Sequence, residues 1–331
     1  MRRLALLAVA VAAVCAGVPG GAGAYVRGFD ISRYVGFVSW PRVAATRYRF
    51  VYSEATYGNV GTDPTYLSHR SGAAAAGLAF GAFHFARPNG RTRSAAVKDA
   101  VAEADHFVAA AEVNTGDLPP ALDLERTYGL PQALMVAWTD AWLAEVQAKL
   151  GVRAVIYTSA AFWSHSLGNT PRFAAGGSPL WLARWTRLFS PPWIPAGNWN
   201  ASGWTFWQWT DCGRLPGRRR CFDLDRLKGS AVAPVLLAPP PVNTAPPAIA
   251  GAARVGQVLT ASPGGWEATP APAFGYRWQR CSTTCVPITG ATGVTYTVSA
   301  DDTGQSLSVV VTATSRGRSA TATSAPTEIV Q

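Results

Sequence analysis

"PPALDLERTYG", residues 119–129, places two carboxylates, Asp123 and Glu125, inside an apolar run with only Leu124 between them. An unpaired charge in the middle of a core strand costs more free energy than its apolar neighbours return. Residues i and i+2 of a strand share a face. A strand here therefore projects Asp123 and Glu125 together and turns Leu122 and Leu124 the other way. Such a pair suits the end of a strand. Taken alone, it reads as a helix cap or as a partner for arginine, and Arg126 is adjacent. The surrounding sequence decides the matter.

Short apolar runs recur at 28–31, 50–53, 78–86, 121–124, 154–158, 180–183 and 204–209, with helical patterns between several of them. Residues 94–113 carry Val97, Val101, Ala104, Phe107, Val108 and Ala111 on one helical stripe. Pro131 starts a second helix, where its missing N–H costs nothing, and Gly151 ends it after Leu150. Trp138, Trp142 and Val146 line the face this helix buries. Alternating apolar strands and helices imply a parallel sheet covered by helices. Seven or eight strands over about 200 residues favour a closed TIM-like (β/α) barrel of the α/β class. Connections beyond residue 165 are too short for full helices, so the helix count is reduced.

More acids arrive at equivalent places. Asp30 ends the first strand in "GFDIS", and Asp223 and Asp225 lie in "CFDLD", the last. First and last strands of a barrel are neighbours, so these acids and the 123/125 pair converge on one mouth, where βα loops build barrel active sites. Polar and aromatic residues at other strand ends are the candidates for binding substrate: His84 and Arg87 in "GAFHFARP", Tyr157 in "VIYTS", Arg184 and Trp185 in "WLARW", Gln208 in "FWQWT". Seven of the 13 tryptophans fall between 181 and 209. Such rings stack on sugar faces, although Trp181 and Trp207 also suit a core and His84 alone suits a structural role. Clustered carboxylates with aromatic walls are the equipment of a glycoside hydrolase.

The ordered motifs G-x-D-x-S, A-x-H-F-A-R-P, A-L-D-x-E, V-I-Y-T, P-L-W-x-A-R-W and F-W-Q-W-T resemble glycoside hydrolase family 25, the Chalaropsis-type lysozymes or N-acetylmuramidases, over about residues 25–230. The resemblance implies an eight-stranded barrel and retaining cleavage of the MurNAc–GlcNAc bond of bacterial peptidoglycan. By position, Glu125 matches the general acid and Asp123 the partner that orients or polarises the 2-acetamido group. Asp30 matches the first-strand acid, and Asp223 the last-strand acid, with Asp225 the other candidate. One segment departs from the family pattern: Glu54-Ala55-Thr56-Tyr57-Gly58 stands where K-A-T-E-G is usual. The departure bears on fine specificity and casts Glu54 as a local structural acid.

At 331 residues the chain is long enough for two domains. Arg2 and Arg3, an apolar stretch from Leu4 to Val18 and Ala22-Gly23-Ala24 read as an export signal over residues 1–24, with the mature chain starting at Tyr25 and secreted. Composition shifts after Ser230; residues 233–247 read as a proline-rich linker and 248–331 as a small all-β sandwich with Trp278 and Tyr296 in its core. "GQVLTASPGGW", "YRWQRC" and "YTVSADDTGQSLSVVVTA" there resemble the immunoglobulin-like repeats of secreted actinobacterial proteins.

Setting aside Cys15 in the leader, Cys212 pairs with Cys221 and Cys281 with Cys285 as disulfides; a metal site is the rival, but no histidine lies near either pair. The net charge is +10, with 26 Arg against 3 Lys. Arg214, Arg218, Arg219 and Arg220 form either a patch for an anionic wall polymer or a solvated loop. No nucleic-acid motif accompanies them, and no second hydrophobic span suggests a membrane. The expected chemistry needs no cofactor or metal, and His69, His84, His106 and His165 are the only histidines. Three alternatives compete with a muramidase. A chitinase-type barrel expects a longer run of alternating acids, and a metal-dependent hydrolase expects a richer His/Asp cluster. A non-catalytic wall-binding barrel would be expected to lose Glu125 or Asp123.

Overall fold

The seven apolar runs each become a strand of one sheet in a computed structural model, which describes residues 24–331 other than 187, 189, 190, 192, 217–220 and 316–317. The export signal thus lies outside the described residues up to position 23, as do Arg218, Arg219 and Arg220. The strands are β1 (Tyr25–Ile31), β2 (Tyr48–Tyr57), the two-residue β3 (Gly61–Thr62), β4 (Ala79–Phe85), β5 (Ala121–Asp123), β6 (Val155–Ser159), β7 (Leu180–Ala183), β8 (Phe206–Gly213) and β9 (Phe222–Lys228). Their order is β1-β9-β8-β7-β6-β5-β4-β2-β3, and a β1–β2 pairing closes an eight-stranded barrel with β3 on its rim.

The expectation of a wholly parallel barrel is corrected at one strand: β9 runs antiparallel to both β1 and β8. The segment from Gly213 to Phe222 is too short for a crossover, which takes a dozen residues or more, so the chain returns as a hairpin. The reversal has a consequence for chemistry. The start of β9, bearing Asp223, lies at the same barrel end as the finish of β1, with Asp30 and Asp223 directly paired.

Two apolar layers hold the barrel. Inside, Phe50, Tyr52, Phe83, Ala121, Val155, Trp181 and Phe206 fill the lumen. Large rings need glycine opposite them: a Cβ on Gly28 would sit 2.2 Å from the Phe50 ring, and one on Gly81 would sit 2.3 Å from the Tyr52 ring. Outside, Leu122, Leu124, Ile156 and Leu182 pack against the helices.

The right-handed helices around the barrel are α1 (Trp40–Ala44), α2 (Tyr66–Ala75), α3 (Arg93–Ala111), α4 (Gln132–Leu150), α5 (Ala160–Ser166) and α6 (Arg172–Ala175), and a further helical turn at Pro195–Asn200 has left-handed residues inside it. Only α3 and α4, 19 residues each, are long, so the second half of the barrel is thinly covered. Thr92 caps α3 by accepting from the Ala95 N–H. Of the expected stripe on α3, Ala104, Phe107 and Ala111 are buried and are joined by Ala96 and Ala100, while Val97, Val101 and Val108 lie half-buried at its flanks. Small side chains let α3 approach its neighbours closely, so alanine rather than valine marks the seam. Pro131 is the residue before α4, and Gly151 ends that helix in a left-handed conformation, φ 62°.

The tail forms a three-stranded sheet of Ala248–Ala250, Val258–Ser262 and Thr295–Thr297, and a four-stranded sheet of Cys285–Pro287, Ala273–Cys281, Ser306–Ser315 and Arg318–Thr323. They share a core of Leu259, Trp278, Leu307, Val309 and Val311, with Tyr296 stacked half-buried on Trp278. The last strand ends at Thr323. The linker is also shorter than its composition implies. Val235 and Leu236 pack on the barrel lumen, the Leu237 N–H donates to the Asp117 carbonyl, and Val242–Ala245 pairs with Gly265–Glu267. A tail contact reaches the barrel at Gly151, whose carbonyl accepts from the Ser319 N–H. Among the described residues no helix is long and apolar enough to cross a membrane.

Disulfides join Cys212 to Cys221 and Cys281 to Cys285. The first closes the β8–β9 hairpin, nine residues apart in sequence. Loop closure of that length contributes about 2–3 kcal/mol by restricting the unfolded chain. Replacing Cys212 and Cys221 by serine should lower the melting temperature by several degrees in a thermal scan. An unchanged melting temperature would show that the hairpin holds itself.

Candidate active site

The strand ends of β1, β5 and β6 and the start of β9 surround a cavity of about 360 Å³. It is lined by Asp30, Glu54, Asp123, Glu125, Asp211 and Asp223, and by Tyr34, Phe83, Phe85, Tyr157, Trp181, Trp185 and Gln208. Asp123 is the last residue of β5 and Glu125 lies two beyond it, with Leu122 and Leu124 fully buried on the opposite face. The shared orientation of the two acids follows from that alternation.

A hydrogen-bonded chain fixes the floor. Gln208 Oε1 accepts from Tyr157 Oη and from Trp185 Nε1, each at 3.0 Å, and its Nε2 donates to Asp30 Oδ2 at 2.9 Å. Trp181 Nε1 donates to Asp225 Oδ1 at 2.8 Å. Asp225 is 1% exposed and does not line the cavity; it sits beneath it, against Asp30. Asp123 Oδ1 is buried with no hydrogen-bond partner among the described residues.

So many carboxyls in one low-dielectric site cannot all ionise together. Burial, then the Asp225 charge, raises Asp30 well above the usual carboxylate range. Burial, then Glu125, does the same to Asp123. Burial and then Asp30 push Asp223 up to about 8, and burial pushes Asp225 up to about 7. Glu125 is raised by burial and pulled back by Arg126. Glu54 is pushed up to about 7 by burial and then by Asp63.

The sign of the pH dependence follows. Folded carboxyls here hold protons that the unfolded chain, with carboxyl pKa near 3.8, releases. Their stabilising contribution is complete below about pH 4 and is lost as pH rises through 7 to 8. Asp225→Asn keeps an acceptor for Trp181 Nε1 and removes a charge. Its melting temperature should match the wild type near pH 4 and exceed it near pH 8.5, with about 2–4 °C per kcal/mol. Equal values near pH 8.5 would mean that Asp225 is no source of strain.

Of the residues singled out in the sequence, Asp30, Asp123, Glu125, Asp223, Tyr157, Trp185 and Gln208 meet at this cavity. Arg87 lies beside it, in an adjoining depression. Two expectations are corrected. His84 points away from the lumen: it is fully buried between β4 and the helices, its Nε2 2.7 Å from Glu103 Oε2 and its Nδ1 2.8 Å from Thr56 Oγ1. Period-2 alternation requires this, because Phe83 and Phe85 take the cavity side. The Arg184 side chain is exposed and does not line the cavity; its carbonyl accepts from Trp207 Nε1. Glu54 is the reverse case, since the acid expected to be merely structural lines the cavity. Its position at the end of an apolar strand run was the available signal. Tyr34 and Asp211 come from loops or frayed strand ends and carried none.

The profile of Glycosyl hydrolases family 25 matches residues 29–218. Lysozyme M1 of Streptomyces globisporus is 33% identical over 222 residues, covering 64% of this chain and 71% of the relative. N,O-diacetylmuramidase of Arthroderma benhamiae is 35% identical over 243 residues, covering 68% of this chain and 97% of the relative. The crystal structure of the bacterial lysozyme from Streptomyces coelicolor superposes with a TM-score of 0.56 at 32% identity, covering 63% of this chain and 94% of that one.

Proposed function

The chain belongs to glycosyl hydrolases family 25, and from that premise we propose that it is a secreted peptidoglycan hydrolase, a 1,4-β-N-acetylmuramidase that cleaves between MurNAc and GlcNAc. The observation that carries this reading is the convergence of Asp30, Asp123, Glu125 and Asp223 on one cavity at the barrel mouth, with Tyr34 and Trp185 beside them. Two disulfides suit an oxidising extracellular compartment.

Cleavage needs a proton for the leaving oxygen and a group to offset positive charge developing at C1. Glu125 supplies the proton. It is the more exposed of the pair and faces the cavity beyond the strand end. In the unliganded site burial favours the proton on Asp123 instead. An acetamide N–H of bound substrate donating to the unpartnered Asp123 Oδ1 reverses that order, because a hydrogen bond to the charged form stabilises it. Asp123 is then the carboxylate that orients the acetamide and stabilises charge at C1. Asp30, held by Gln208, and Asp223 shape the field around them. The tail, an immunoglobulin-like module, acts as a spacer or wall-retention element.

The test is a suspension of purified bacterial cell walls. Added protein should clear it, and Asp123→Asn protein at the same concentration should not. A suspension that stays turbid with wild-type protein contradicts the reading. A non-catalytic wall binder would pellet with the walls and leave them intact.

A further inference from the structure

Beside the carboxylate cavity lies a second depression of about 370 Å³, walled by Arg33, Tyr57, Arg87, Arg126 and Tyr128, with Glu54 and Glu125 shared between the two. Tyr57 sits between two guanidinium groups: Arg33 Cζ is 4.2 Å and Arg87 Cζ is 4.5 Å from its ring centroid. Cations this close repel one another. The ring face offsets part of that repulsion without using the N–H donors of Arg87, which stay available to a ligand.

The two arginines are not equivalent. Arg33 is partly neutralised, with Nη1 3.7 Å from Glu54 Oε1 and Nη2 donating to Tyr34 Oη at 2.9 Å. Arg87 is exposed, and its guanidinium forms no ion pair among the described residues. Its stem is nonetheless held, because Gly58 lies so close that a Cβ there would be 3.2 Å from Arg87 Cδ. Arg126 reaches Glu125 only at 4.0 Å and is itself mostly exposed. Tyr128 adopts φ 47°, a left-handed conformation that costs a non-glycine residue roughly 1 kcal/mol, and presents an exposed ring.

The groove is therefore acidic at its centre and cationic at its side. A uniformly anionic polymer is repelled by the centre, and a uniformly neutral one leaves Arg87 without a charged partner. The fitting ligand has a neutral sugar backbone and a negatively charged branch. We propose that this depression is a subsite for an anionic branch of the glycan, whose carboxylate or phosphate oxygens bind Arg87, with Arg33 and Arg126 alongside. The proposal rests on the glycan-cleaving function above and adds to it the charge of the substituent that the enzyme prefers.

Soluble wall-glycan fragments in three forms test it: bearing carboxylate-terminated peptides, bearing a phosphate, and neutral, stripped of peptide with the lactyl carboxyl reduced. The readout is the ratio of kcat/KM on each charged fragment to that on the neutral one. Wild-type protein should favour at least one charged form by about tenfold, the effect of roughly 1.4 kcal/mol. Which form it favours identifies the source of the anion. Arg87→Gln should bring that ratio close to one, chiefly through KM, and Arg87→Lys should keep part of it. The preference should also fade as ionic strength rises from about 0.01 M to about 1 M and the screening length falls from ~30 Å to ~3 Å. A wild-type ratio near one, or a preference that survives Arg87→Gln, overturns the subsite while leaving the muramidase reading intact. Failure of wild-type protein to cleave any fragment overturns both.

Discussion

Glu125→Gln lowers turnover on purified walls by about 10²–10⁴-fold, the usual contribution of a positioned general acid, while the protein stays folded. Glutamine keeps the shape and the hydrogen-bonding capacity but has no proton to transfer. Glu125 is one of the more exposed residues of the cavity and pairs only distantly with Arg126, so little packing is lost. The defect is specific to the leaving group. A substrate whose leaving group departs without protonation, such as a nitrophenyl glycoside of the same sugar, should recover much of the lost rate. A purely structural strand-end pair predicts lower stability, with the rate of the folded fraction preserved.

Asp123→Asn is expected to be similarly severe, roughly 10²–10³-fold, through loss of charge stabilisation in the transition state. A neutral amide cannot offset positive charge at C1 or in a ring formed from the acetamide. No leaving group repairs that, so the activated substrate should rescue the Glu125 variant and not this one. Stability separates the roles further. Asp123 is buried among other carboxyls that raise its pKa, so its charge opposes folding at high pH. The asparagine variant should melt no lower than wild type near pH 8. A variant that is active but unstable would place Asp123 among structural acids.

Asp30 and Asp123 were legible because each lies where an apolar strand run stops, and Asp223 because it opens the last strand. Asp30, Asp123 and Asp223 could be placed at one mouth once the runs were counted as a closed barrel. The antiparallel β9 was also implied, since ten residues closed by Cys212–Cys221 cannot hold a crossover, but strand count alone does not show direction. His84 misleads because a histidine in a motif attracts chemistry, whereas its neighbours Phe83 and Phe85 already claim the cavity face. Half of the α3 seam was legible, in Ala104, Phe107 and Ala111; Ala96 and Ala100 were missed because alanine buries little area and carries a weak periodic signal, although small residues are what close approach requires. The strand at Val242–Ala245 depends on a partner some twenty residues away, which proline-rich composition conceals. Glu54 lies inside β2, directly after the apolar run 50–53, and an acid there was a visible signal. The stacking of Tyr57 between Arg33 and Arg87 joins three separate segments and has no local trace.

The proposed carboxylates of this barrel mouth cut a glycan at one defined bond. The most direct test is to digest purified peptidoglycan to completion, reduce the new ends with borohydride and identify the modified sugar by mass spectrometry. Muramitol is expected, from N-acetylmuramic acid at every new reducing end. Glucosaminitol in its place would show that the opposite glycosidic bond is cut and would contradict the account.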